Sequence, residues 1–404
     1  MKYSAQEIMQ YIEEEDVKFI RLAFCDVFGK QKNISIMPSE LPRAFEYGVA
    51  IDASAIAGFG GDVHSDLFLH PEPDTLAVLP WRPEHGRVVR MYCSVYYPNG
   101  DLFENDTRSI LKNAVLEAKK AGCTFSFGSE MEFYLFKLDE YGNPTKEPYD
   151  NAGYMDIAPD DKGENIRREI CLTLEQMGIR PEGSHHEDGP GQNEIDFRYS
   201  DALTAADNAV TFCAVVKAIA ARNGLCADFS PRPLNNKPGN GFHINMSVKS
   251  INNTDEMMPY MIAGILDKIE DMTLFLNPTE VSYKRLGSYK APRYVSWSSE
   301  NRSQLIRIPA AVGEYKRAEL RSPDPEANPY IAFSLLIRAG LYGIQNRPSL
   351  PEPADINFLT ADQKTLSKFK TLPQSLGDAA TIARNSSFIN ECLSKMLIKT
   401  YCNK

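Results

Sequence analysis

The chain has no Cys-x-x-Cys pair, no Gly-x-x-x-x-Gly-Lys-Ser/Thr loop, no long run of like charge and no stretch of 18 consecutive apolar residues. Each absence removes a class of protein. Without paired cysteines there is no zinc ribbon or disulfide framework. The eight cysteines (25, 93, 123, 171, 213, 226, 392, 402) are scattered, several inside apolar runs such as Thr211-Phe212-Cys213-Ala214-Val215. They read as small buried hydrophobes of a reduced, cytoplasmic protein. Without a P-loop, any nucleotide has to be held through metal and arginines. A net charge of −10 leaves no basic stripe for nucleic acid. The missing apolar run, and the polar start Met1-Lys2-Tyr3-Ser4, argue against a membrane span and a signal peptide.

What remains is ordinary globular composition, 43% apolar and 24% charged, over 404 residues, a length for which two domains are the default. The first hundred residues read as a small α+β unit. An amphipathic start (Ile8, Met9, Ile12) leads into the alternating Phe19–Asp26 strand, a turn at Phe28-Gly29-Lys30 and a second strand at Asn33–Met37, together a hairpin. Asp74–Leu79 and Arg87–Tyr96 read as two further strands, and Tyr97-Pro98-Asn99-Gly100-Asp101 as the turn at a domain boundary. Beyond it, helices are expected from Thr107 (N-cap Asp106), over Asp161–Met177, and from Thr204 with Asp207 as a reduced capping box. The last of these buries Phe212, Val215, Val216 and Ile219 and stops at Gly224.

Five stretches put polar residues on one face of a strand and apolar residues on the other: Glu130–Leu135, Glu194–Arg198, Phe242–Val248, Arg302–Ile308 and Arg317–Arg321. Singly each is ordinary, since a Glu-x-Glu on a half-exposed strand is usually a solvated face and a lone His243 usually structural. Jointly, Glu130, Glu132, Glu187, Glu194, His243 and Glu319 would fill two sites of three ligands for hard divalent cations, with positions left for water and phosphate oxygens. The turn in Pro190-Gly191 lets Glu187 and Glu194 meet. Zinc fits poorly at His185-His186, because adjacent strand residues face opposite sides.

Over residues 17 to 346 the motifs resemble the bacterial type of glutamine synthetase. They include Gly128-Ser129-Glu130-Met131-Glu132-Phe133, Ser184-His185-His186-Glu187, Gly191-Gln192-Asn193-Glu194-Ile195-Asp196, Gly241-Phe242-His243, Tyr283-Lys284-Arg285-Leu286, Asn301-Arg302-Ser303 and Glu319-Leu320-Arg321-Ser322-Pro323. The resemblance implies an α+β fold: a small N-terminal β-grasp-like domain over residues 1–102, and a catalytic domain over 103–404 with a curved antiparallel sheet flanked by helices. It implies ATP and two Mg²⁺ or Mn²⁺ ions, one held by Glu132, Glu187 and Glu194, the other by Glu130, His243 and Glu319. Arg302, Arg307 and Arg317 would clamp phosphates. Arg285, Arg321 and Gly239 would hold glutamate, Glu182, Asn245 and Ser247 would contact nucleotide, and Asp52 would serve the ammonia of a neighbouring subunit's site. The implied reaction phosphorylates the γ-carboxylate of glutamate and then lets ammonia displace phosphate. A homo-oligomer is implied, with a hexameric ring expected because the chain stops at Lys404, and a dodecamer as the alternative.

Three departures fall on the acceptor side. Asp52-Ala53-Ser54-Ala55-Ile56 keeps the Asp of the family's Asp-Gly-Ser-Ser-Ile but loses its second Ser. Lys290 stands where the family's flap carries Glu, and Pro238-Gly239-Asn240-Gly241 replaces Asn-Gly-Ser-Gly. Two alternatives therefore stand beside glutamine synthesis: a γ-glutamyl ligase for an organic amine, and a non-catalytic relative.

Overall fold

The computed structural model describes residues 3–60, 65–81, 86–251, 256–311, 313 and 316–404. Two sheets organise them. The N-terminal sheet contains β1 (Val17–Cys25), β2 (Gln31–Ile36), β3 (Val49–Asp52), β4 (Asp66–Pro71), β5 (Ala77–Val78) and β6 (Arg87–Tyr96). Their order is β2-β1-β6-β4-β3, with β5 also on β6; β1 and β6 run parallel and the other pairs antiparallel. Asp26 closes the expected hairpin by accepting from the Phe28 and Lys30 amides, while Gly29 takes φ +80°. Helix Ala5–Glu14 opens with a Ser4/Glu7 capping box and buries Ile8 and Ile12.

This region departs from the sequence expectation at two points. Asp74–Leu79 is extended only at Ala77–Val78, because Pro73 starts a 3₁₀ turn over Pro73–Thr75. Strands β3 and β4 were not anticipated; each is short, and β3 lacks a run of β-branched residues.

The larger sheet contains β7 (Cys123–Leu138), β8 (Pro144–Pro148), β9 (Pro181–His186), β10 (Gln192–Asp201), β11 (Leu225–Asp228), β12 (Phe242–Ser250), β13 (Trp297–Ser299), β14 (Ile306–Ile308) and β15 (Ala318–Leu320). Its order is β13-β14-β15-β12-β7-β10-β9, with β8 and β11 also on β7; all pairs are antiparallel except β13 with β14. Period-two alternation along β7 sends Phe127, Met131 and Phe133 into the core and the Glu130 and Glu132 side chains into a cavity on the opposite face. On the core face Phe127 stacks on Phe333 of helix Pro329–Asn346 with ring centres 4.4 Å apart, and Phe133 meets Phe212 of helix Ala202–Arg222.

That second helix is long and apolar enough to cross a membrane by length and composition, yet its Phe212, Val215, Val216 and Ile219 are fully buried in the core. Its start differs from expectation. Asp201, not Thr204, is the N-cap and accepts from the Thr204 amide, while Asp207 turns away to bind both Arg108 Nε and Nη2 at 2.9 Å. Helix Glu164–Gln176, by contrast, begins later than the expected Asp161, whose carboxylate pairs with Arg167. The helix from Thr107 to Lys120 begins as expected, but Asp106 accepts from Ser109 Oγ and the Val95 amide instead of capping the helix backbone. Of the expected strand Arg302–Ile308, only Ile306–Ile308 is extended.

Candidate active site

Register places the polar residues in a staircase across five strands. His243 on β12 and Asp196 on β10 both pair with Glu130 on β7, Glu194 lies opposite Glu132, and Glu319 on β15 lies between Asn245 on β12 and Arg307 on β14. Glu130, Glu132, Glu194, Asp196, His243 and Arg307 line a cavity of about 700 Å³ together with Glu187, Gly239, Arg285, Arg302, Arg317 and Arg321, while Glu319 lies buried beneath it. A smaller cleft of about 110 Å³, lined by Glu182, Asn245 and Ser247, shares Glu130, Asp196 and Arg317 with it.

Ligand atoms of Glu130, His243 and Glu319 lie within 4.8 Å of one another, as expected for one cation set. His243 Nδ1 is 3.4 Å from Glu130 and 3.8 Å from Glu319, and Asn245 Nδ2 donates to Glu130 at 2.8 Å. Burial opposes the Glu130 charge, but His243, Asn245 and Arg321 outweigh it and hold its carboxyl down at about 2. Glu319 is fully buried, with one oxygen bonded by Arg307 and the other by Arg321. The second expected set is assembled differently. Glu132 and Glu194 cluster with His243, while Glu187 and Glu194 cluster with His185. His185 Nε2 lies 2.9 Å from Glu187, and the Gly241 amide and Gln192 Nε2 donate to Glu132 at 2.8 and 3.1 Å.

These carboxylates repel one another. Burial, then the charges of Asp196, Glu132, Glu130 and Glu187, pushes the Glu194 carboxyl well above its ordinary value. Burial and Glu130 push Asp196 up to about 7. One oxygen of Asp196 is buried without a hydrogen-bond partner. A convergence of buried oxygens with an excess of negative charge fits divalent cations, and the chemistry of the donors, carboxylate with one imidazole, fits hard ions.

Cationic groups complete the cavity. Arg285 is buried and bonds the Ser322 carbonyl at 2.7 Å; among the described residues no carboxylate lies within ion-pair distance of it. Gly239 packs beneath its stem: a Cβ there would come within 2.2 Å of the Pro231 carbonyl and 3.0 Å of Arg285 Cγ. Arg317 Nε donates to Asn245 at 2.8 Å, and exposed Arg302 lends its carbonyl to Arg321 Nε at 3.1 Å. Asp52 lies elsewhere. It is exposed at the end of β3, accepting from the Ser54 amide and hydroxyl at 2.9 and 2.7 Å, and it does not line this chain's cavity. Ser54, through its hydroxyl and then its amide, holds that carboxyl below the ordinary aspartate range.

From sequence, Asp196 and Gln192 carry no assigned role, and His185 is weighed only as a poor zinc ligand. Asp196 and His185 were within reach: one further step of period two from Glu194 gives Asp196, and one back from Glu187 gives His185. His186, the other member of the pair, points away and sits between the Glu187 carbonyl and Asp150 at 2.7 and 2.9 Å.

Comparison with known proteins agrees with this geometry. Residues 16–98 match the family model of the glutamine synthetase β-grasp domain and residues 104–404 that of the glutamine synthetase catalytic domain. The chain is 42% identical to a glutamine synthetase of Clostridium saccharobutylicum, covering 99% of this chain and 94% of that one. It is 44% identical to one of Methanosarcina mazei, covering 98% and 92%. Among solved structures, a GmaS/ADP complex superposes with TM-score 0.88 at 26% identity, covering 98% of this chain and 94% of that chain. Plasmodium falciparum glutamine synthetase shares the fold with TM-score 0.87 at 23% identity, covering 100% and 95%. By sequence over nearly its whole length, and by the sheet that gathers its carboxylates and arginines, the chain belongs to the glutamine synthetase family.

Proposed function

We propose a division of labour within the cavity for the reaction that family membership assigns: the chain is an ATP-dependent glutamate–ammonia ligase. The observation that carries the reading is the junction of the two spaces. A cleft bordered by Asn245, Ser247 and Glu182 opens beside Glu130, Asp196 and Arg317 onto the carboxylate and arginine cavity, so a nucleotide in the cleft directs its phosphates toward a substrate in the cavity. The similar GmaS chain was solved with ADP.

Glu130, His243 and Glu319 would hold one divalent cation, and Glu132, Glu187 and Glu194 the other, with His185 and Asp196 beside them. Imidazole among carboxylates suits Mn²⁺ as well as Mg²⁺. When bound, such ions neutralise charge on phosphate oxygens and polarise the phosphoryl group. The chain's own residues do the rest. Arg285 and Arg321 grip the carboxylates of glutamate, with Gly239 leaving room for the Arg285 stem. Arg307 is fixed through Nε by Glu319, which leaves its terminal nitrogens for the transferring phosphoryl group, and Arg302 and Arg317 flank it. The γ-carboxylate oxygen attacks the terminal phosphorus of ATP, releasing ADP. The amine nitrogen then attacks the acyl carbon, loses a proton and expels phosphate.

Asp52, ordered yet solvent-facing, serves the site of a neighbouring subunit in a homo-oligomer, with a hexameric ring as the arrangement. The chain divides near residue 102, just past the Tyr97–Asp101 turn, where the Tyr97 amide donates to the Asp101 carbonyl at 2.8 Å. All eight cysteines are free thiols, which suits a cytoplasmic setting. The test is phosphate release from ATP with glutamate and ammonia under Mg²⁺ or Mn²⁺. Release is expected only when all components are present, and release independent of glutamate would overturn the assignment of roles.

A further inference from the structure

One rim of the cavity carries a charge pair that the roles above do not use. Lys290 Nζ lies 2.6 Å from Asp188 Oδ2, the two side chains being 50% and 35% exposed, and 5.1 Å from the centre of the Tyr154 ring. Three separate segments meet there: the loop after helix Glu280–Arg285, the turn between β9 and β10, and the loop bearing Tyr154. The Lys290 loop is a defined turn. The Gly287 amide donates to the Ala291 carbonyl at 3.0 Å, and Tyr289 takes φ +51°. Tyr154 in turn packs edge-on against His185, which bonds Glu187. Lys290, Asp188, Tyr154, His185 and Glu187 line the large cavity, and none of them borders the nucleotide cleft. The groups facing the ammonium are thus Asp188, Glu187 and Tyr154. Partial burial works against its charge, but Asp188 and Glu187 outweigh it and hold its pKa above the ordinary lysine value.

A rim of two carboxylates would draw small cations in from solution; here the protein supplies its own. We propose that Lys290 and Asp188 together set the charge of the entrance used by the small substrates, making Lys290 a specificity-determining residue that disfavours a cationic acceptor and admits a neutral amine. The inference rests on the ligase reading of the cavity. Both side chains are exposed, so their field acts on a charged species in transit and scarcely on an uncharged one.

The sign of the effect separates this role from a structural latch. Lys290→Gln and Asp188→Asn break the same ion pair, so a latch predicts the same change in both. An electrostatic entrance predicts opposite changes: Lys290→Gln leaves the rim more negative and Asp188→Asn leaves it more positive. Steady-state phosphate release would be followed in the full-length enzyme with saturating ATP, Mg²⁺ and glutamate, varying either ammonium or hydroxylamine, an amine largely uncharged near neutral pH. The KM for ammonium is expected to fall about three- to tenfold in Lys290→Gln and to rise by a similar factor in Asp188→Asn. The KM for hydroxylamine should change by less than twofold in both, and the ammonium differences should shrink as salt is raised. If ammonium KM moves in the same direction in the two variants, or hydroxylamine follows ammonium, the inference is overturned while the ligase reading stands. If neither acceptor supports ATP-dependent release in the wild type, the ligase reading falls and the inference with it.

Discussion

Glu132 and Glu194 lie directly opposite each other, in register on β7 and β10, and both are buried. Like charges so placed destabilise a sheet by about 0.2–1 kcal/mol on exposed surfaces, and burial adds to this. A fold retains such a pair when a cation sits between. Thermal unfolding should therefore shift upward on adding Mn²⁺ or Mg²⁺, by about 2.7 kcal/mol of stabilisation at a hundredfold excess over Kd. In Glu194→Gln the metal-free protein should be more stable than wild type, and the response to cation should be largely lost. A variant that is destabilised without metal yet keeps the full metal response would count against Glu194 as a ligand.

The same repulsion makes cation binding depend on pH. Burial and neighbouring charge raise Asp196 to about 7 and Glu194 well above its ordinary value, so in the metal-free protein protons reside on these groups near neutrality. A group whose folded pKa is raised contributes stability that is complete below the ordinary carboxylate value of about 4 and is lost as pH rises through the folded value. The metal-free enzyme should accordingly lose stability between about pH 4 and pH 8. Cations displace those protons, so affinity should climb over the upper part of this range. Calorimetric titration in buffers of different ionisation enthalpy should register proton release on binding at pH 6.5, decreasing toward pH 8. Proton uptake, or none at either pH, would contradict the linkage.

The strands that carry the site were legible because period-two alternation is a local property. In Glu130–Leu135 and Phe242–Val248 apolar residues mark the core face, and the remainder must face the cavity. What alternation could not reveal was partnership across the sheet. That Glu194 clusters with both His243 and His185 depends on strand order, which single segments do not encode. The Thr204 capping box failed for a similar reason. Asp207 has two claims on it, a local cap and the distant Arg108 and Tyr330, and the buried ion pair with its 2.7 Å tyrosine hydrogen bond prevails. Strand Arg302–Ile308 shortened because Asn301, Ser303 and Gln304 bond to the 354–358 segment, holding Arg302 on a turn.

Arg285 offers a sharper test of substrate grip. Its guanidinium is buried and bonded to a carbonyl, so an incoming carboxylate would be its first anionic partner among the described residues. Arg285→Lys keeps the charge but loses the planar fork, and a charge-assisted hydrogen bond is worth about 1.5–3 kcal/mol. KM for glutamate should rise about 10- to 100-fold while KM for ATP changes less than twofold. Gly239→Ala should act in the same sense, since its Cβ would collide with the Pro231 carbonyl and press on the Arg285 stem. Equal losses in glutamate and ATP affinity would instead indicate general collapse of the cavity.

Asp52 poses the question of where one active site ends. Its carboxylate is held ready by Ser54, yet it lines neither the large cavity nor the nucleotide cleft, whereas Arg321 is buried at the wall of the cavity. If sites are completed between subunits, Asp52→Ala and Arg321→Ala damage different halves of a shared site. Each homogeneous variant should lose at least about tenfold in rate, since either removes a charged contact to substrate. Mixing the two, dissociating and reassembling them should place an intact Asp52 beside an intact Arg321 at a fraction of the interfaces. Equal mixing should restore about a quarter of wild-type activity, because one random neighbour pairing in four carries both intact residues. Recovery that stays at the sum of the separate variants would show that Asp52 serves no neighbour's site, and would leave its exposed carboxylate a surface feature of β3.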